Sequence, residues 1–261
     1  MHPQQTNTPS LQTRDLTIRF GGHVAVNAVS CAFQSGTLTA IVGPNGAGKT
    51  TYFNLISGQL KASSGQVLLN GRDISALPAS SRTHAGLGRA FQLTSLFPKL
   101  TVMENVRLAL QSRRGLGLDM WNVWNRHKEL IDRADRILDT VALSAKRDMQ
   151  AAALPHGDQR KLEVALLMAL DPAVYMFDEP TAGMSVDEVP VILDLIRKLK
   201  TQTDKTILLV EHKMDVVREL ADRIIVLHNG TLMADGEPET VIASPVVQQA
   251  YLGLAPVEET A

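Results

Sequence analysis

The feature that most constrains this chain is the octapeptide Gly43-Pro44-Asn45-Gly46-Ala47-Gly48-Lys49-Thr50, spaced G-x-x-x-x-G-K-T. An apolar run (Leu38, Ala40, Ile41, Val42) precedes it, and a helical pattern (Tyr52, Phe53, Leu55, Ile56) follows. A glycine-rich turn between a strand and a helix is a phosphate-binding loop. Its glycines let successive backbone N–H groups converge on an anion, and the positive end of the next helix adds to the attraction. Lys49 supplies a point charge for the β- and γ-phosphates, and the Thr50 hydroxyl is placed to ligate Mg²⁺. The segment predicts a nucleoside triphosphate site.

A second segment, Val174-Tyr175-Met176-Phe177-Asp178-Glu179, is an apolar run ending in two adjacent acids. Such a run is costly unless the acids stand at the carboxyl end of a strand, where open α/β sheets bind ligands. Asp178 is then placed to hold Mg²⁺ through water, and Glu179 to polarise an attacking water as general base.

Strands alternate with helical stretches toward both ends of the chain. Leu16 and Ile18 alternate with polar neighbours before a Gly21-Gly22 turn. Asn70-Gly71 and Asn229-Gly230 each sit between short apolar runs, the signal of a tight hairpin. Val102, Val106, Ala109 and Leu110 recur at helix spacing, as do Leu130, Ile131, Ala134, Ile137, Leu138 and Val141. Between them, Ser112 to His127 holds Trp121 and Trp124 and a Gly115/Gly117 break. Strands are predicted at Ala173–Asp178 and Thr206–Val210, joined by a helix with Ile192, Leu195, Ile196 and Leu199 inward and Pro190 in its first turn. The expectation is an α/β fold: a mostly parallel phosphate-loop core with an antiparallel β subdomain and an inserted α-helical subdomain. Residues 1–10 read as a tail, 11–92 and 161–240 as the core, 93–160 as the helical insertion and 241–261 as a C-terminal tail.

Composition narrows the function classes. A length of 261 residues with 44% hydrophobic and 20% charged residues suits a globular protein with a sizeable core. The net charge of −1 gives no electrostatic case for nucleic acid as a partner. Cys31 is the single cysteine, so no intramolecular disulfide forms; it lies in an alternating stretch and is expected to pack as a small apolar side chain. No apolar run approaches the roughly 18–20 residues of a membrane helix. Met1 to Ser10 lacks the apolar core of a secretory signal.

With these motifs in place, the sequence resembles the ATP-binding cassette family over nearly its whole length. The resemblance implies ATP and Mg²⁺ as ligands and carries roles onto matching residues. Gln92, after Arg89-Ala90-Phe91, looks like the glutamine that contacts Mg²⁺ and water and links to the partner protein. Leu154-Pro155-His156-Gly157-Asp158-Gln159 stands where the signature motif belongs. Asp187 matches the aspartate of the loop after Glu179, His212 the switch histidine that contacts the γ-phosphate, and Phe20 the aromatic that stacks on adenine. Val26 and Thr51 join Gly43 to Thr50 as implied nucleotide contacts.

One departure matters. The family signature is usually L-S-G-G-Q, and here Pro155 takes the serine position and His156 the next glycine. Proline has neither hydroxyl nor N–H, so two potential γ-phosphate donors are missing there. Slower or more tightly coupled hydrolysis is expected, with Gly157 and the helix N-terminus still available to the anion.

Family behaviour implies a head-to-tail pair in which each subunit's signature closes on ATP held by the other. A lone cassette implies separate membrane permease subunits, with Leu93–Leu100 as candidate docking segment through Leu96, Phe97 and Leu100, and a location at the cytoplasmic face of the inner membrane. Within the family, the sequence resembles ATPase subunits of bacterial branched-chain amino acid importers. It rests on Phe20-Gly21-Gly22, Gly88-Arg89-Ala90-Phe91-Gln92, the 112–127 insert, Gly157 to Glu163 and the ending Ala250-Tyr251-Leu252-Gly253. That class implies a second, related cassette as dimer partner, with two copies of this chain as the alternative, and, indirectly, a periplasmic substrate-binding protein. A urea or short-amide importer, a lipopolysaccharide exporter and a non-hydrolysing regulatory module remain as alternatives.

Overall fold

The computed structural model describes residues 10–90, 96–114 and 128–252, with only the backbone of Tyr251 and Leu252. Gln92, Phe91, Leu93, the two tryptophans and Gly253 lie outside the described residues.

The N-terminal strands form an antiparallel sheet. β1 (Leu11–Phe20) and β2 (His23–Phe33) pair across the Gly21-Gly22 turn, with Phe20 opposite His23. β4 (Ser64–Leu69) and β5 (Arg72–Asp73) complete it in the order β2-β1-β4-β5. Asn70 and Gly71 take φ of 50° and 75°, the left-handed pair that a two-residue hairpin requires. Asn229 and Gly230 repeat this between β9 (Arg223–His228) and β10 (Thr231–Gly236).

The main sheet runs β10-β9-β3-β8-β7-β6. β3 (Leu38–Val42), β7 (Val174–Asp178), β8 (Thr206–Val210), β6 (Leu87–Ala90) and β9 pair in parallel, and β10 is antiparallel. β3, β7 and β8 are buried at every residue, which is why they read as continuous apolar runs. Side-chain alternation divides them between two cores. Val174 and Met176 join the antiparallel sheet and α1 (Lys49–Ser57) on one face. Tyr175 and Phe177 join the helices on the other. Cys31 is buried in the first of these cores, as its alternating setting predicts.

Among the described residues, three helices build the inserted subdomain: α3 (Val102–Arg113), α4 (Lys128–Thr140) and α5 (His156–Leu170), following α2 (Ala79–His84). Val102, Val106, Leu110, Leu130, Ala134, Ile137, Leu138 and Val141 enter one core and Ala109 packs on it partly buried, whereas Ile131 is half-buried and stays out of that core. α3 opens with a capping box: Glu104 N–H donates to the Thr101 hydroxyl while Thr101 N–H donates to the Glu104 carboxylate. The expected boundary at 160/161 falls inside α5, a continuous helix that packs on α3 and also joins the core beneath β7. α6 (Val189–Lys200) turns Ile192, Leu195, Ile196 and Leu199 inward, with Pro190 in its first turn. α7 (Met214–Leu220), α8 (Pro238–Ala243) and α9 (Pro245–Leu252) close the chain.

Candidate functional site

The phosphate loop spans the gap between β3 and α1 in a conformation only glycine supplies at its tightest points. Gly43 has φ of 150°, and a Cβ there would collide with the Leu227 carbonyl. Gly48 has φ of 95°, and a Cβ would stand 2.5 Å from the Ala25 carbonyl oxygen. The loop is fastened from outside as well. Gly230 N–H donates to Ala47 O at 3.0 Å, and Asn27 N–H donates to Gly230 O at 2.8 Å. Asn45, Gly46 and Thr50 face solvent, whereas Lys49 is buried with Nζ donating to Gly43 O at 2.7 Å and Pro44 O at 2.9 Å. Burial lowers the Lys49 pKa, and the nearby carboxylates of Glu179 and Asp178 pull it back up.

The sheet order β3-β8-β7 brings the other chemical groups to the same carboxyl edge. Asp178 ends β7 in register with Val210, the last residue of β8. Glu179 N–H donates to Val210 O at 2.9 Å, and the Glu179 backbone takes φ of 50°. That left-handed turn is uncommon for a non-glycine residue and is found where a site demands it. It accompanies a 2.6 Å contact between Glu179 Oε1 and His212 Nε2. Asp178 is buried, and Arg89 Nη2 donates to its Oδ2 at 2.6 Å. Burial pushes the Asp178 carboxyl up, and the guanidinium draws it part of the way back.

The signature segment lies at the N-terminus of α5. Pro155 is the cap residue and makes no side-chain capping bond; Pro155 and His156 are exposed. Leu154 and Asp158 are buried, with Asp158 held by Lys146 and, at 2.8 Å, by Lys161. Gln159 Nε2 donates to Leu154 O at 2.9 Å. The Glu188 carboxylate packs on Gly157 where a side chain would begin, so this glycine is covered rather than open. Glu188 itself accepts from Ser185 N–H and hydroxyl, while Asp187 beside it is exposed.

Phe20 is half exposed at the end of β1, a face open to a planar base. Val26 is fully buried beside Gly48. Thr51 is half-buried on α1. In the expected docking segment, Leu96 packs against the helical core while Phe97 is 56% exposed. Phe97 is held outward by Asn105, which accepts from Phe97 N–H at 2.8 Å and donates to Phe97 O at 3.1 Å. Sequence reading gave no role to Arg89, Thr181 or Glu211, whose partners are remote in the chain.

A glycine loop with a buried lysine, a paired acid and histidine, and a parallel sheet that aligns them define a phosphate-loop ATPase. Residues 26–182 match the family model described as ABC transporter, and the chain belongs to that family. It is 40% identical over 252 residues to the "High-affinity branched-chain amino acid transport ATP-binding protein LivG" of Salmonella typhimurium, covering 95% of this chain and 99% of that one. It is 37% identical to the corresponding BraF protein of Pseudomonas aeruginosa over the same shares. Among solved structures, the ADP conformation of MJ1267, an ATP-binding cassette of an ABC transporter, superposes with a TM-score of 0.79 at 29% identity. That match covers 94% of this chain and 98% of the other.

Proposed function

We propose that this ATPase energises an importer of branched-chain amino acids through separate membrane permease subunits. The substrate class is supported by likeness to the LivG and BraF proteins over nearly their full lengths. Among the described residues of the docking segment, Phe97, Pro98 and Lys99 are exposed, and Phe97 offers a membrane partner an apolar side chain. Among the described residues, no helix is long and apolar enough to cross a membrane. The subunit sits at the cytoplasmic face of the inner membrane, pairs with a related cassette and serves a periplasmic substrate-binding protein indirectly.

The 2.6 Å Glu179–His212 contact beside the loop carries the hydrolytic reading. Lys49 and the loop N–H groups hold the triphosphate, with Phe20 stacked on the base. Glu179 accepts a proton from the attacking water, and His212 fixes its carboxylate and reaches the γ-phosphate. Thr50, Asp178 and Gln92 would hold Mg²⁺, which neutralises phosphate charge. An exposed hydroxyl beside the loop and a carboxylate at the sheet edge are oxygen donors of the hard kind that this ion takes. The segment from Leu154 to Gln159, with Asp187, closes on ATP held by the other cassette.

Glu179→Gln is the test. It removes the base but keeps the shape, so turnover falls by at least about 10²-fold and MgATP traps a stable dimer. A mutant that binds ATP yet forms no dimer in MgATP by light scattering, either alone or mixed with the related cassette, overturns the proposal of ATP-driven pairing.

A further inference from the structure

One buried carboxylate has no task in the hydrolytic scheme. Glu211 is 2% exposed and Thr181 is 1% exposed. The chain leaves β7 through Glu179-Pro180-Thr181 and leaves the adjacent β8 through Glu211-His212. Glu211 joins these two exits. Its Oε1 accepts the Thr181 hydroxyl, and its Oε2 accepts the backbone N–H of His212 at 2.8 Å. Desolvating a carboxylate is costly, and charge-assisted hydrogen bonds of this kind offset part of that cost. An apolar residue would serve packing alone.

The geometry points to Glu211 as a positioning residue for hydrolysis. It grips the histidine's own backbone and the segment two residues past Glu179, and so holds the Glu179 carboxylate and the His212 ring at their 2.6 Å separation. The strained φ of 50° at Glu179 makes such a restraint necessary, because a left-handed non-glycine residue persists only where its surroundings over-determine it. A misplacement of about 1 Å at a reacting group can cost on the order of 10² in rate. The inference rests on the reading of Glu179 and His212 as the hydrolytic pair.

The amide of glutamine gives a sharp test. In Glu211→Gln the amide oxygen can accept the His212 N–H while the amide nitrogen donates to the Thr181 oxygen, whose hydroxyl simply turns round. Expected results are a kcat for Glu211→Ala about 10- to 100-fold below wild type with ATP affinity unchanged, and recovery of most of that loss in Glu211→Gln. Adding Thr181→Val to Glu211→Gln removes the hydroxyl and loses the recovered rate. Thr181→Val alone, which keeps the side-chain shape, lowers kcat and decides the matter if Glu211→Ala does not fold.

An unchanged kcat in Glu211→Ala or in Thr181→Val overturns the inference. So does a Glu211→Gln no better than Glu211→Ala, or a loss of ATP affinity matching the loss of kcat. Glu179→Gln, measured alongside, separates the two levels. Wild-type turnover there refutes the hydrolytic pair itself, whereas a dead Glu179→Gln with unaffected Glu211 variants refutes only the positioning role.

Discussion

Arg89 Nη2 donates to Asp178 Oδ2 across 2.6 Å, and the other terminal nitrogen of the same guanidinium reaches Asn54 Oδ1 at 2.7 Å and Ser57 Oγ at 2.8 Å. One cation thus ties the last residue of β7 to the helix that follows the phosphate loop. It also lies 4.8 Å over the Phe53 ring, an additional cation–π contact.

Replacing Arg89 with methionine strands a buried carboxylate. The expected loss is about 3–5 kcal/mol, the usual consequence of removing one partner of a buried pair. The direction with pH follows from burial, which raises the Asp178 pKa and is then unopposed. A raised folded-state pKa favours folding below the ordinary carboxylate value and loses that advantage as pH rises through the folded value. The Arg89→Met deficit therefore shrinks on acidification, and urea unfolding at neutral and mildly acidic pH checks it. Adding Asp178→Asn restores part of the stability at neutral pH.

Lys49→Ala tests the nucleotide site. Its ammonium makes charge-assisted hydrogen bonds to the loop carbonyls and, in the proposed complex, to phosphate oxygens. Losing bonds of about 1.5–3 kcal/mol to a charged group corresponds to roughly a 10- to 100-fold weaker affinity. Fluorescence anisotropy of a labelled ATP, with phosphate release, measures it. Unaltered affinity and turnover would remove the basis of the whole reading.

Pro155→Ser restores a hydroxyl and an N–H at the start of α5. Pro155 has φ of −55° and ψ of 156°, an extended geometry that a serine cap also adopts. Turnover is expected to rise by up to about 10²-fold, the scale of a single transition-state donor. Stability changes little, because the new cap is offset by the more flexible unfolded chain. Equal turnover and ATP affinity in the two proteins would show that the proline has no catalytic effect.

The capping box of α3 makes a separate stability prediction. Thr101→Ala should cost about 1 kcal/mol, read as a lower midpoint of thermal or urea unfolding. The Thr101 backbone N–H, then its hydroxyl, hold the Glu104 carboxyl below its ordinary range. A depressed folded-state pKa contributes stability above the ordinary glutamate value and loses it as pH falls through the depressed one. The gap between Thr101→Ala and wild type narrows through that acid window.

Local chemistry was legible in the sequence. Three two-residue hairpins, the phosphate loop, the inward faces of α3, α4 and α6 and the place of Pro190 all follow from signals within a few residues of one another. The crossing connections of the parallel sheet carry no such signal, and neither do the buried polar ties. Arg89 meets Asp178 at a separation of 89 residues, and Glu211 meets Thr181 at 30. Arg82, only 3% exposed, donates to the Leu55 and Ile56 carbonyls from 27 and 26 residues away, capping the end of α1. Each reads in isolation as an ordinary surface charge.

α5 gives the molecule a lever arm. Its C-terminal end is seated where Leu167 and Pro172 close on the side-chain-free face of Gly88, and the 15-residue rod carries Pro155 just beyond its far tip. At 1.5 Å per residue that is about 22 Å, so a tilt of roughly 10° about the seated end sweeps the tip through about 4 Å. A push on the helical subdomain would thus be magnified at the exposed end that carries Pro155 and His156, whereas β7, which bears Asp178, begins four residues past the seated end.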